Sequence, residues 1–368
     1  MKFSTEKTEL SRAIQIAAKA ASTKSPIPAL EGLLMETTDG RLKITGYDLK
    51  KAIYTSIDAN IQAQGSMILN AKMFGSIINS MPEGKVSIEK QGQNVLIKGD
   101  TAEFTIISMD TADYPELPDI DSKTGVSLPQ NLLSRMIRQT IFAVSDNESR
   151  PVYTGELFEI SDGYLTLVAV DGYRLALRRE PVENISADHS FIVPGSALSD
   201  LEKLCGDTED QVVINLGTKH ISFVIGDTVL LSRRLEGEFL NYKKTVPTEF
   251  RYRLMADRLG LQRSIERVSL IIDDRVKNPL RCTFREDCVT IACMTNVGKA
   301  EDSFPLEGDG QGLEIGFNNR YLLDALKATP AEEVRLGLNS SNSPCVILPP
   351  EDSDEFLYMI LPVRLKAE

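Results

Sequence analysis

The stretch Leu165–Leu177, L-T-L-V-A-V-D-G-Y-R-L-A-L, constrains this chain more than any other, because it recurs. Leu165, Leu167 and Ala169 alternate with Thr166, Val168 and Val170, the two-residue period of a mostly buried strand, and Asp171-Gly172 supplies a turn before Tyr173, Arg174 and Leu175. A weaker copy lies 123 residues earlier, where Gly40-Arg41-Leu42-Lys43-Ile44-Thr45 runs to Asp48-Leu49. Another lies about 124 residues later, where Asp287-Cys288-Val289-Thr290-Ile291 runs to Asn296-Val297. A chain of 368 residues that repeats one strand and turn three times is expected to form three similar domains, each able to bury its own core.

The helical patterns keep the same period. Residues 6–21 carry Leu10, Ala13, Ile14, Ala17 and Ala21 on one face; Leu133, Met136, Ile137, Ile141 and Val144 form the second stripe; Leu261, Ile265, Val268 and Ile272 form the third. Ser11-Arg12-Ala13-Ile14 and Ser134-Arg135-Met136-Ile137 stand 123 residues apart. A shorter helix follows Asn70 (Met73, Phe74, Ile77, Ile78 inward), Pro194 (Ala197, Leu198, Leu201, Cys205) and Asn318 (Tyr321, Leu322, Ala325, Leu326), with Asn70 a good N-cap. Each unit therefore reads long helix, strands, short helix, strands, an α+β domain of two helices on antiparallel sheets. Solenoid repeats run about 20–50 residues, so this period is a tandem domain triplication. The expected domains are 1–124, 125–247 and 248–368, with the Asp-, Pro- and Ser-rich Asp110–Gly125 as a linker and a final strand over Phe356–Leu365. Pro362 cannot donate to a sheet ladder, so residues beyond it are expected to leave the sheet, with Met359, Leu361 and Val363 lining an apolar groove.

Charge distribution matters more than the total of −12. The segments 2–19, 70–80, 130–150, 195–204, 251–277 and 318–327, which hold the six helices, carry +7 together, leaving −19 for the remainder. That partition suggests one basic surface made of helices and an acidic surface made of the rest. Five scattered cysteines, with no C-x-x-C pair and only His189 and His220 far from them, read as reduced buried thiols and give no disulfide framework or zinc site. Met1–Lys7 has no apolar run and no stretch nears the 18 or so apolar residues of a membrane span, so the expectation is a soluble, unexported, cytoplasmic chain.

Sites of chemistry are sparse. No G-x-x-x-x-G-K-[ST] loop occurs, and Gly308-Asp309-Gly310-Gln311-Gly312 reads as a flexible connection. Asp119 and Asp121 lack the later ligands of a calcium loop and read as linker residues. Asp171 with Arg174 reads as a structural turn or ion pair, and Glu351-Asp352-Ser353-Asp354-Glu355 as a solvated hairpin tip. No catalytic residue, metal or cofactor is expected, and a binding role is favoured.

These residues resemble the bacterial replicative sliding clamp family, the beta subunit of DNA polymerase III. The resemblance rests on V-A-V-D-G-Y-R-L-A at 168–176, M-I-L-P-V-R-L at 359–365, G-F-N-N-R-Y-L-L-D-A-L at 316–326, and the threefold repeat. It implies three DNA-clamp domains per chain closing as a ring-shaped head-to-tail homodimer of six similar units, with basic helices around double-stranded DNA bound without sequence specificity. It implies no enzymatic activity. Partners would be the replicative polymerase, the clamp loader and repair factors, which present short Gln-plus-hydrophobic motifs. A specialised clamp in repair or drug tolerance is a competing reading, as is, from another class, a repeat scaffold or enzyme that never encircles DNA.

Carried over by position, the resemblance implies a partner pocket of Tyr153, Val170, Gly172, Tyr173, Arg174, Leu175, Leu240, Lys244, Thr245, Asn318, Tyr321 and the run Met359, Ile360, Leu361, Pro362, Val363, Arg364, Leu365. DNA contacts would come from Lys24, Asn147 and Arg150, joined by helix position by Arg12, Arg135 and Arg138. The dimer contact would set Phe104 and Ile106 against Ile271 and Ile272. Pro151 and Val152 stand where some clamps have aromatics, and Gly195 and Ser196 where they have a basic pair.

Overall fold

The computed structural model describes residues 1–120, 125–182, 188–273 and 278–365. The chain forms two compact units, Met1–Ser134 with Ser196–Arg234, and Arg135–Gly195 with Leu235–Glu368. The sequence repeats three times, yet the chain condenses into two units because the strands of the middle repeat divide between them.

The first unit holds two antiparallel sheets. One has five strands in the order Asn60–Ala63, Lys2–Glu6, Lys85–Gln91, Asn94–Lys98 and Glu103–Ile107. The other has eight and runs across a repeat boundary: Thr228–Arg233 of the second repeat pairs with Lys51–Asp58 of the first, with Leu230 opposite Ile53. The second unit holds a ten-stranded sheet that does the same: Arg174–Pro181 of the second repeat pairs with Phe356–Ile360 of the third, with Ala176 opposite Tyr358. An ion pair marks each joint, Lys51 with Asp200 at the first and Arg174 Nη1 with Asp324 Oδ2 at 2.5 Å at the second.

Local chemistry explains the recurring turns. Asp39-Gly40 and Asp162-Gly163 have positive φ at both positions (45° and 80°, 54° and 79°), the two-residue hairpin turn whose twist suits the flanking strands. The opening stretch ends in a turn closed by its own aspartate: Asp171 Oδ1 accepts from the backbone N–H of Tyr173 at 2.8 Å and Arg174 at 3.0 Å. Asp48 Oδ1 does the same with Lys50 at 2.9 Å and Lys51 at 2.7 Å. The left-handed residue is Gly172 (φ 94°) in one turn and Leu49 (φ 71°) in the other, so the first copy holds an exposed leucine in a glycine-like conformation.

The helices fall where the periodicity puts them: Lys7–Ala18 and Ala71–Ser80 in the first repeat, Gln130–Thr140 and Gly195–Leu204 in the second, Arg258–Ser269 and Asn319–Ala328 in the third. Asn70 caps its helix by accepting from Met73 N–H at 3.0 Å. Leu10, Ala13, Ile14 and Ala17 face a core with Phe3, Leu33, Leu42 and Phe74, all essentially without solvent contact. Fully burying the leucine, isoleucine and phenylalanine side chains among them stabilises by about 1.5–3 kcal/mol each.

Several expectations change. Met73 is half exposed and lies off the buried face of its helix. The stripe reaching Val144 is broken at Thr140 into a 3-10 turn, Ile141–Ala143. Gly308–Gly312 is no loose connection; it lies within the twenty-residue strand Gly298–Phe317, where Gly308 and Gly312 take positive φ and a Cβ on Gly310 would sit 2.4 Å from Phe284 Cβ. The segment before residue 120 is docked, with Tyr114 buried and its hydroxyl donating to the Thr45 carbonyl at 3.2 Å. Asp121 lies outside the described residues. His189 opens the strand His189–Pro194. The five cysteines are free thiols; Cys282, Cys293 and Cys345 are buried while Cys205 and Cys288 are partly exposed, and burial pushes Cys345 and Cys205 up to about 12. The last strand ends at Ile360, two residues before Pro362.

Glu156 breaks the repeat. Its positional counterparts are Leu33 and Leu280, both fully buried, and Glu156 is fully buried too. Thr140 Oγ1 donates to its Oε2 at 3.1 Å, and Oε1 has no hydrogen-bond partner among the described residues. Burial pushes its pKa up to about 8, with the Thr140 hydrogen bond a smaller opposing influence, so it is protonated at neutral pH.

A candidate partner groove and exposed basic side chains

On one face of the ten-stranded sheet, strand alternation brings Leu157, Val168, Val170, Leu175, Val346 and Met359 into one apolar cluster with Ile192 and Tyr242. The register lines them up in rows: Val170 opposite Leu175, Leu175 opposite Met359, Met359 opposite Val346. The segment after Arg233 lays Leu235, Phe239, Leu240 and Val246 against the same cluster, and Tyr153 meets Phe239 edge-on at 5.6 Å. Edge-to-face geometry places a positive ring edge against a negative face, which fixes this wall of the groove.

The turn of the opening stretch forms one end. Arg174 Nε donates to Asp171 Oδ2 at 2.8 Å, and its guanidinium lies 4.4 Å from the Tyr321 ring and 5.4 Å from that of Phe142. Two carboxylates, Asp171 and Asp324, and two aromatic rings hold the cation in place. Tyr173, 63 % exposed, stacks on Tyr321 at 6.4 Å and offers its other face to solvent. Burial raises the Tyr321 phenol, with Asp171 adding to the effect. Asn318 caps the helix that carries Tyr321, accepting from Arg320 N–H at 2.9 Å.

The C-terminal segment closes the other side. Leu361 N–H donates to the Tyr173 carbonyl at 2.9 Å and Val363 N–H to the Gly316 carbonyl at 2.8 Å. Leu361 and Val363 are more than a third exposed after the sheet has ended, an apolar rim. Gly316 is required here, since a Cβ would sit 2.4 Å from the Val363 carbonyl oxygen and 2.8 Å from Leu365 Cδ2.

The structure brings together Tyr153, Val170, Leu175, Leu240 and Met359 in the cluster, with Gly172, Tyr173, Arg174 and Tyr321 at its end. Ile360 does not join them; alternation sends it into the core with Leu280 and Phe317. Lys244 and Thr245 are exposed on the short helix Tyr242–Thr245, Arg364 is exposed, and Pro362 and Leu365 are half-buried. Sequence reasoning missed Phe239 and Val346 in the cluster, and Asp324 and Phe142 around Arg174. Phe239, an aromatic in an acidic connecting segment, carried a readable signal; Asp324 and Phe142 are brought to Arg174 only by tertiary packing.

Three family models, for the N-terminal, central and C-terminal domains of the DNA polymerase III beta subunit, match residues 1–118, 127–241 and 243–364. A beta sliding clamp of Bacillus subtilis is 30 % identical over 99 % of this chain and 100 % of its own length. The chain belongs to the DNA polymerase III beta subunit family, the bacterial sliding clamps. It consists of three tandem clamp domains of mixed helices and antiparallel sheets. A crystal structure of the Bacillus subtilis DNA polymerase sliding clamp matches with a TM-score of 0.95 at 29 % identity over 100 % of both chains. One of a putative DNA polymerase III beta subunit from Eubacterium rectale matches with a TM-score of 0.95 at 30 % identity over 99 % of both.

The residues expected at DNA are all exposed: Arg12 and Lys24 in the first unit, Arg135, Arg138, Arg150 and the neutral Asn147 in the second. Arg135 is not a free cation, because its Nη2 lies 3.8 Å from Glu180, which the buried Arg178 also engages. Arg150 sits 6.0 Å over the Tyr153 ring. Among the described residues no group of three or more His, Cys, Asp or Glu could hold a metal ion, and no helix is long and apolar enough to cross a membrane.

Proposed function

We propose that this DNA sliding clamp works as a head-to-tail homodimer that encircles double-stranded DNA and tethers the replicative polymerase, the clamp loader and repair factors to it. One observation carries the reading: each chain closes two joints of the same design and leaves half of a third at each end of its repeat order. Phe104 pairs with Ile97 as Leu230 pairs with Phe223 and Tyr358 with Ile347, so the three hold one position. Leu230 and Tyr358 are 0 % and 1 % exposed because a neighbouring strand covers them, while Phe104, on an edge strand, is 37 % exposed. Ala300 pairs with Cys293 as Ile53 pairs with Gly46 and Ala176 with Ala169, and among the described residues its strand has no further neighbour there.

Phe104 of one protomer would therefore lie opposite Ala300 of its partner, extending the sheet between chains. Two such contacts give six repeats and six joints, a closed ring. Gly298 stands where the other repeats have Lys51 and Arg174, and Ser76 where they have Asp200 and Asp324. The joint between chains thus lacks the ion pair of the internal joints, which makes it the one a loader opens. Ile106 packs on the first core, and Ile271 and Ile272 are half-buried on the third core.

Encirclement asks only for weak, mobile phosphate contacts from side chains such as Arg12, Lys24 and Arg150, which fall off with salt. Partners dock in the groove through a short Gln-plus-hydrophobic segment, and the chain acts in the cytoplasm without catalytic chemistry of its own. The domain limits 1–124, 125–247 and 248–368 belong to the same proposal. The test is to load the protein onto nicked circular DNA with a cognate loader and then linearise the circle. Retention on circles with loss from linear DNA is expected; equal retention on both refutes encirclement.

A further inference from the structure

The apolar floor of the groove does not stop at the row of Val170, Leu175 and Met359. The next row down the same strands, Leu177 opposite Leu357 with Leu348 beside them, belongs to the same cluster and floors a separate cavity of about 300 Å³. Tyr242 bridges the two, since it lines the cavity and is part of the groove cluster. One row further the sheet turns charged, with Glu159, Thr166 and Arg179 on the cavity wall and Asp162 and Asp354 at its mouth.

The cations there are already engaged. Lys243 Nζ donates to Glu159 Oε1 at 2.5 Å, and Tyr242 Oη to Glu159 Oε2 at 2.6 Å. Burial by itself would raise Glu159, but these hydrogen bonds and the nearby cations hold it below the usual carboxylate range, so it is ionised. Arg179 pairs with Asp354 and lies over the Tyr164 ring at 3.9 Å. Asp162, exposed at the hairpin tip, has no ion-pair partner among the described residues, so three carboxylates face two cations.

We infer that this cavity is an extension of the partner groove that takes an arginine or lysine flanking the partner's Gln-plus-hydrophobic segment. An aliphatic stem would lie on Leu177 and Leu357 while the cationic head reaches Asp162 and Asp354, the division of labour by which long basic side chains bury methylenes and keep their charge at the surface. The inference rests on the groove reading and adds a preference for a basic flank to it. Continuity of the apolar floor selects the same partner segment as occupant, and the excess carboxylate selects its charge.

The test is fluorescence anisotropy with the full chain and synthetic peptides carrying the segment flanked by alanine, by arginine at either end, or by glutamate. Arginine at one end is expected to tighten binding about fivefold over alanine, the scale of an exposed ion pair plus a buried stem, with glutamate no better than alanine. In the double variant Asp162→Asn, Asp354→Asn that gain disappears while the alanine-flanked peptide binds as before; asparagine tolerates the left-handed backbone of residue 162 (φ 54°). Equal binding of arginine- and alanine-flanked peptides, or a gain that survives in the double variant, overturns the inference and leaves the groove standing. Failure of every peptide to bind the wild type refutes the groove itself, and the extension falls with it.

Discussion

Replacing Glu156 tests how one buried carboxyl limits the second unit. Folding raises its pKa from an ordinary 4.5 to about 8 by burial, so between those values the unfolded chain releases a proton that the folded chain keeps. Its contribution to stability is therefore most favourable below about pH 4.5, declines as pH rises, and levels off above about pH 8. At 1.36 kcal/mol per unit, that interval amounts to roughly 5 kcal/mol, most of it already lost near pH 7.5. Glu156→Gln removes the titration and keeps an acceptor for Thr140; Glu156→Leu installs the residue found at the matching positions, Leu33 and Leu280. Thr140 keeps a donor role in either variant, because its hydroxyl also reaches the Met136 carbonyl at 2.9 Å. Urea unfolding at several pH values, following the transition of the unit that contains Glu156, should show the glutamine variant gaining on the wild type by about 1.4 kcal/mol per pH unit between roughly pH 5 and 8. The leucine variant should gain the same slope from a higher baseline, since it also removes the unpartnered Oε1. A difference between wild type and Glu156→Gln that does not change with pH would refute the reasoning, because it would mean that the carboxyl is ionised in the folded chain or reaches water.

Two further outcomes follow from the geometry. Gly316→Ala should displace the C-terminal segment through the clash with Val363 and Leu365, weakening partner-peptide binding at least about tenfold in anisotropy with the dimer intact by sedimentation. Phe104→Asp should put a charge where the matching Leu230 and Tyr358 are fully covered, so sedimentation at low micromolar concentration should find monomers with unchanged peptide affinity; an undiminished dimer would reject the proposed edge.

The three-domain plan was legible because the same solutions recur at fixed spacing: Asp39-Gly40 with Asp162-Gly163, Asp48 with Asp171, Asn70 with Asn318 as helix caps. Local chemistry of that kind needs no distant partner. The groove was legible through the motif at its end and the apolar C-terminal segment, while its depth was not, since Phe239, Val346 and the row Leu177, Leu357 and Leu348 become neighbours only when strands of two repeats pair. The glycines of Gly308–Gly312 read as a loose connection because glycine permits both flexibility and a tight bend; only the closeness of Phe284 to Gly310 decides for the bend.

By itself, then, the sequence determined the repeat, its helices and turns, and which segment of the middle repeat differs from its copies, because these follow from period and backbone preference. The tertiary structure decided that the middle repeat is shared between two units and that Glu156 is buried with no counterion among the described residues. It also decided that the turn after Val170 meets Tyr321 and the C-terminal segment. Those facts depend on which strand edges find a partner, and edge pairing joins residues that no local pattern in the chain connects.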